Sequence, residues 1–278
     1  MKIAVLSGTG GTGKTFSSVN LAVAAGNAAY VDCDVEEPNG RLFLKPENIK
    51  TTEVSVKIPL INPMKCIGCR KCVDFCQFNA MAFVRNRPMI FSNICHACGG
   101  CSVICPENAV KESSRVIGCV ENGSHKGLKV VTGVMNPGEE TGVPLIKEAL
   151  REGFEGSEDV IIDCPPGSAC AVMESVSLSD YCVLIAEPTA FGLHNFGMVY
   201  ELVKLMGKPC CAVINKESEP YSPLDTYCSE NNIPIALRIP YSEKLAALGA
   251  NAHIAAEEDS QCLELFTGLL NYIREAAK

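Results

Sequence analysis

The chain has 278 residues, 47% of them hydrophobic and 20% charged, enough apolar content for one large domain or a domain with a small companion. Its net charge of −8, with no basic tract, argues against nucleic acid as the main ligand. No apolar run reaches the ~18 residues that span a bilayer, and Met1–Leu6 lacks signal-peptide architecture, so a cytoplasmic, non-membrane protein is expected.

In chain order, strand and helix signals alternate. "MKIAVLS" predicts a buried strand, residues 13–25 a helix and "NAAYVDCD" a second strand. Beyond a cysteine-rich interruption, "LKVVTGV" predicts a strand, 141–151 a helix, "DVIIDC" a strand and 168–178 a helix. "YCVLIAE" (strand), 191–206 (helix), "PCCAVIN" (strand), 222–231 (helix), "IPIALRI" (strand) and 261–276 (helix) complete the series. Repeated βα units whose strands are apolar throughout predict an α/β fold, a doubly wound parallel sheet covered on both faces. The closing "CLELFTGLLNYIREAAK" is amphipathic but carries no excess of basic residues, so core packing is expected of it rather than membrane contact.

Residues 57–112 break the rhythm. Four prolines and eight cysteines fall here with no long helical or strand pattern. The run Cys66-x2-Cys69-x2-Cys72-x3-Cys76 recurs with identical spacing as Cys95-x2-Cys98-x2-Cys101-x3-Cys105. Small repeated units with little core need metal or disulfides, and a reducing compartment and an odd total of 17 cysteines argue against disulfides. The segment is therefore predicted as a small inserted domain, 57–112, within a main domain of 1–56 and 113–278. The nine scattered cysteines are expected to be small core hydrophobes or bystanders.

The loop "SGTGGTGKT" satisfies two phosphate-binding patterns. Gly8, Gly10 and Gly13 fit the dinucleotide turn, with Asp32 or Asp34 able to bind a ribose hydroxyl. Gly8, Gly13, Lys14 and Thr15 fit the mononucleotide pattern. A dinucleotide turn has no use for a lysine followed by a hydroxyl, whereas a triphosphate has one for both: the lysine neutralises β and γ oxygens and the hydroxyl ligates Mg²⁺. ATP or GTP is favoured over NAD, with Asp163 supplying a second Mg²⁺-directed carboxylate.

Together, "SGTGGTGKT", "VDCDVEEPN", "IIDCPPG", "AEPTAFGLHNFG" and "INK" resemble the MinD/ParA superfamily of P-loop ATPases, in particular the branch with an inserted bacterial-type ferredoxin domain that is often labelled cobyrinic acid a,c-diamide synthase-like. The resemblance implies ATP/ADP with Mg²⁺, bound through Gly8, Gly10, Gly11, Thr12, Gly13, Lys14, Thr15 and Phe16. It implies that Asn215 reads adenine and that Pro240 lies over the base. Thr15, Asp34 and Asp163 would serve Mg²⁺, with Lys14 and Asp34 catalytic and Asp34 orienting the attacking water. Asp32 is expected on the opposite face of its strand end. The superfamily dimerises around ATP and commonly carries a lysine where this chain has Thr9, a lysine that reaches the partner's phosphates. Its replacement implies a slow homodimer, a heterodimer with a lysine-bearing paralogous ATPase, or another basic residue in its place.

The repeated cysteine runs match two [4Fe–4S] clusters, the fourth cysteine of each run ligating the other cluster; a zinc site needs no third closely spaced cysteine. Cys66, Cys69, Cys72 and Cys105 are assigned to one cluster and Cys76, Cys95, Cys98 and Cys101 to the other. Gln77 stands where the bacterial ferredoxin pattern has a proline. Two functions follow as expectations: an ATPase that couples nucleotide state to electron transfer toward a redox client, or an iron–sulfur carrier of the Mrp type.

Overall fold

The computed structural model describes residues 1–278. Its strands are β1 (Lys2–Ser7), β2 (Ala28–Asp32), β3 (Glu47–Ile61), β4 (Met81–Val84), β5 (Arg87–Ile90), β6 (Val110–His125), β7 (Leu128–Met135), β8 (Asp159–Asp163), β9 (Tyr181–Ala186), β10 (Cys210–Glu217) and β11 (Ile235–Pro240). Nine of them form one sheet in the order β11-β10-β9-β1-β8-β2-β7-β6-β3. From β11 to β7 the pairing is parallel. Apolar cores of 32 and 25 buried residues cover the two faces, as expected of strands apolar on both sides.

Crossovers place β1 at the centre, between β8 and β9. The helix Lys14–Ala25 starts on Gly13 (φ 91°) and stops at Gly26 (φ 70°), conformations that cost glycine little. Its residues Val19, Leu21 and Ala22 join the second core together with Phe266, Leu269, Leu270 and Ile273 of the closing helix Ser260–Ala276. That helix thus spends its apolar face inside the protein. No helix is long and apolar enough to cross a membrane.

The structure departs from the all-parallel expectation at one edge. β6 pairs antiparallel with β7, and β3 antiparallel with β6. Neither β3 nor β6 is among the strands expected from the sequence. β3 is exposed along most of its length and contains Pro59. An edge strand tolerates both features, and both hide it from a search for apolar runs. The expected domain edges at 56/57 and 112/113 consequently fall inside these two strands, whose ladder runs from the main sheet to the pair Ile61–Val110.

Residues 62–109 lie between the far ends of that ribbon, and the sequence repeat is also a backbone repeat. Gly68 and Arg70 have positive φ in the first cysteine run, Ala97 and Gly99 at the equivalent places in the second. Asn79 and Asn108, which follow the two runs at matching places, do so as well. Short helices, Lys71–Phe75 and Gly100–Val103, carry the third cysteine of each run. Ile61 pairs with Val110 and, one repeat on, Ile90 pairs with Met81. The chain therefore runs strand–helix–strand twice.

Candidate functional site

A cavity of about 590 Å³ opens at the end of β1. Thr9, Gly10, Gly11, Gly13, Lys14, Thr15, Phe16, Asp34, Asn215 and Pro240 line it, so most of the sequence-predicted nucleotide residues meet in one place. Two glycines are required by the protein itself. A Cβ on Gly8 would come within 2.6 Å of Asn195 backbone atoms, and one on Gly13 within 2.1 Å of the Asn215 amide nitrogen. A Cβ on Gly10 would meet nothing within 4 Å.

Lys14 is the electrostatic centre. Its Nζ lies 2.5 Å from Asp163 Oδ1 and 3.9 Å from Asp34 Oδ2. Burial alone would lower its pKa, but Asp163, followed by Asp32 and Asp34, outweighs burial and raises it. Asp163 and Asp32 occupy paired positions on β8 and β2, and both are fully buried. The second Asp163 oxygen accepts from the Tyr30 hydroxyl at 2.8 Å. No sequence motif singles out Tyr30, although its place two residues before Asp32 puts the two on one strand face.

Asp32 does not point away as expected. Strand alternation returns to the same face every second residue, and Asp32 stands close enough to act on Lys14. Its oxygens accept from the backbone N–H of Asp34 (3.1 Å) and of Gly40 (2.9 Å), which ties down the turn carrying Asp34. Burial, with the Asp163 charge, holds its carboxyl well above the usual range. Asp34 is pushed up to about 6, chiefly by burial and against the pull of Lys14.

Asn215 donates one amide hydrogen to the Thr12 carbonyl at 2.8 Å, leaving its oxygen and second hydrogen for another partner. Thr12 is itself buried and its hydroxyl donates to the Thr9 carbonyl at 3.2 Å. Pro240 closes β11 beside Tyr241, and Phe43 and Tyr241 join Phe16 as aromatic walls of the cavity. A basic side chain also stands at the loop. Lys216 Nζ donates to the Gly11 carbonyl and to Glu187 Oε1, each at 2.6 Å.

The eight clustered cysteines divide between two smaller cavities in residues 57–112. One is lined by Cys66, Cys69, Cys72 and Cys105, the other by Cys76, Cys95, Cys98 and Cys101. Cys69 and Cys98 are the exposed members of their sets. Nowhere do three or more His, Cys, Asp or Glu side chains converge as ligands of a single ion. Burial pushes the Cys72 and Cys101 thiols up. At Cys105 the backbone N–H groups of Ala109, Glu107 and Val110 outweigh burial and lower the pKa. His96, within the second run, stacks on Phe78 with centroids 4.0 Å apart. Of the scattered cysteines, Cys33, Cys164, Cys182, Cys211, Cys228 and Cys262 are buried.

The model of the CobQ/CobB/MinD/ParA nucleotide-binding domain family matches residues 3–254. Among curated proteins, the uncharacterized proteins MJ0578 and MJ0579 of Methanocaldococcus jannaschii are 29% and 23% identical to the chain, covering 99% and 100% of it and 97% and 96% of themselves. Among solved structures, the septum site-determining protein MinD of Pyrococcus horikoshii, complexed with Mg-ADP, superposes with a TM-score of 0.62 at 17% identity, covering 99% of this chain and 96% of that one. The cell division ATPase MinD of Pyrococcus furiosus superposes with a TM-score of 0.60 at 17% identity, covering 99% and 98%.

Proposed function

Since the chain belongs to the CobQ/CobB/MinD/ParA nucleotide-binding family, we propose that it binds and hydrolyses Mg-ATP and couples its nucleotide state to electron transfer through two [4Fe–4S] clusters. On this reading Lys14 compensates the β- and γ-phosphates, Thr15 and Asp163 serve Mg²⁺, and Asp34 orients the attacking water. Lys14 would leave Asp163 for phosphate when nucleotide enters, freeing an Asp163 oxygen for the ion. Asn215 has hydrogen-bonding capacity left for the adenine edge, and Pro240 and Tyr241 flank the base.

One observation carries the iron–sulfur reading. The cavities in residues 57–112 separate the eight cysteines into the two interleaved sets that the repeat predicts, Cys105 with the first run and Cys76 with the second. A doubled strand–helix–strand unit supports it, being the order expected of a ferredoxin-like insert. When bound, such clusters supply one-electron chemistry at low potential. The cysteines would hold them, and the left-handed turns would aim N–H groups at their sulfurs. The test is anaerobic purification with metal analysis. About eight iron and eight sulfide per chain are expected; stoichiometric zinc without sulfide overturns the reading.

A carrier of the Mrp type is the second reading, favoured by the exposure of Cys69 and Cys98. Incubation with an apo-acceptor separates the two, since a carrier loses iron to the acceptor in an ATP-dependent way and an electron-transfer protein keeps it. For Thr9, a dimer with a lysine-bearing paralogue draws support from two full-length relatives in one organism. Lys216 supports the alternative in which a basic residue of the same chain stands in.

A further inference from the structure

Within the cavity of Cys76, Cys95, Cys98 and Cys101 lies Ser102. Its hydroxyl is one of the few buried side-chain polar groups without a hydrogen-bond partner. A buried, unpaired hydroxyl costs about 1–3 kcal/mol, so its retention calls for a partner that the protein does not itself provide. Serine hydroxyls in helices often donate back to the carbonyl four residues earlier, as Ser175 does to Ala171 at 2.8 Å; Ser102 does not. The equivalent residue of the first run is Val73, which has no proton to donate.

Resting on the iron–sulfur reading, we propose that Ser102 donates its hydroxyl proton to a sulfur of the cluster held by Cys76, Cys95, Cys98 and Cys101, and so makes this cluster the more easily reduced of the pair. Reduction adds one negative charge to the cube, and an O–H dipole aimed at its sulfur stabilises that charge. The flanking cations act in the opposite sense, Arg70 and Lys71 lining the other cavity and Lys57 this one, but all three side chains are exposed and their charges screened.

The asymmetry has a direction. The Ser102 cavity extends along the β3–β6 ribbon to Lys57, Pro59 and Glu112, whereas the other reaches only Ile61, Ala109 and Val110. The first is therefore nearer the main sheet. An electron entering from an external one-electron donor would settle on the cluster nearer the nucleotide domain.

The experiment is a redox titration of the anaerobically purified full chain, followed by electron paramagnetic resonance, with Ser102→Val, Ser102→Thr and Val73→Ser compared with the parent. Ser102→Val should make one cluster about tenfold harder to reduce, a shift of about 59 mV for one electron, and leave the other unchanged. Val73→Ser should shift the other cluster the opposite way. Ser102→Thr, which keeps the hydroxyl, should behave as the parent does. Unaltered potentials in Ser102→Val at full iron content overturn the proposal. Should Ser102→Val lose half its iron, failure of Ser102→Thr to restore both iron and potential overturns it equally. A parent chain without iron and sulfide overturns the iron–sulfur reading itself, a result distinguishable from all of these.

Discussion

Lys14 faces three carboxylates, so its removal acts on binding and on folding together. Lys14→Ala should weaken Mg-ATP binding by ~100-fold, through loss of charge-assisted contacts to phosphate. It should also lower stability by about 3 kcal/mol, because Asp163 keeps only Tyr30 as partner in a fully buried position. Calorimetric titration and urea denaturation would measure the two effects. Asp34→Asn should retain ATP and reduce turnover by ~10²-fold or more. It carries a pH signature as well. The Asp34 carboxyl is raised from 3.8 to about 6 by burial, so the folded state favours its protonated form. That contribution is full below pH ~4 and is lost as pH rises through about 6. An asparagine does not titrate, so in melts without Mg²⁺ the variant's stability relative to the parent should grow between pH 4 and 6 and then level off.

At the scale of elements, the attachment of the β3–β6 ribbon to the main sheet depends on a close approach of β6 to β7. A Cβ on Gly118 would lie 2.2 Å from the Val134 carbonyl oxygen, beside a register shift opposite Val54 and Ser55. Gly118→Ala should cost about 2 kcal/mol in urea denaturation, through enforced movement of the neighbouring strand. Cys69→Ala and Cys98→Ala should each halve the iron content and leave nucleotide binding within about twofold of the parent, their cavities being separate from the one at Lys14. The ribbon also marks the limit of what the sequence discloses. The buried strands could be read because their apolar runs are their burial, and the division of the clustered cysteines between two cavities because their spacing repeats. β3 could not be read, being an edge strand whose stability comes from the backbone ladder rather than from side chains that a pattern search detects. Tyr30 and Lys216 were invisible for a different reason: each acquires its role from a partner distant in the chain, Asp163 for one and Glu187 for the other.

For the whole molecule, the proposed dimer requires positive charge at its phosphates. Thr9 is short and uncharged, and a cation supplied in trans is worth ~10³-fold or more in rate where an arginine finger performs that role. Thr9→Lys should raise the ATPase rate of the purified chain by at least tenfold. If Lys216 stands in, Lys216→Ala should instead lower the parent rate by a similar factor, and Thr9→Lys should add little. Steady-state phosphate release on the three proteins decides between them.

The order of the strands has a consequence for how the molecule is made. β1, which presents the phosphate loop, pairs only with β8 and β9, and β2 only with β7 and β8. A chain emerging from the ribosome therefore carries the phosphate loop on an unpaired strand until β8 has been made, past the midpoint of synthesis. The hairpin β4–β5 and the two cysteine runs are complete well before that, and all their partners are local. Since units rich in local contacts form first, the cysteine-rich unit can take its shape while the nucleotide site does not yet exist.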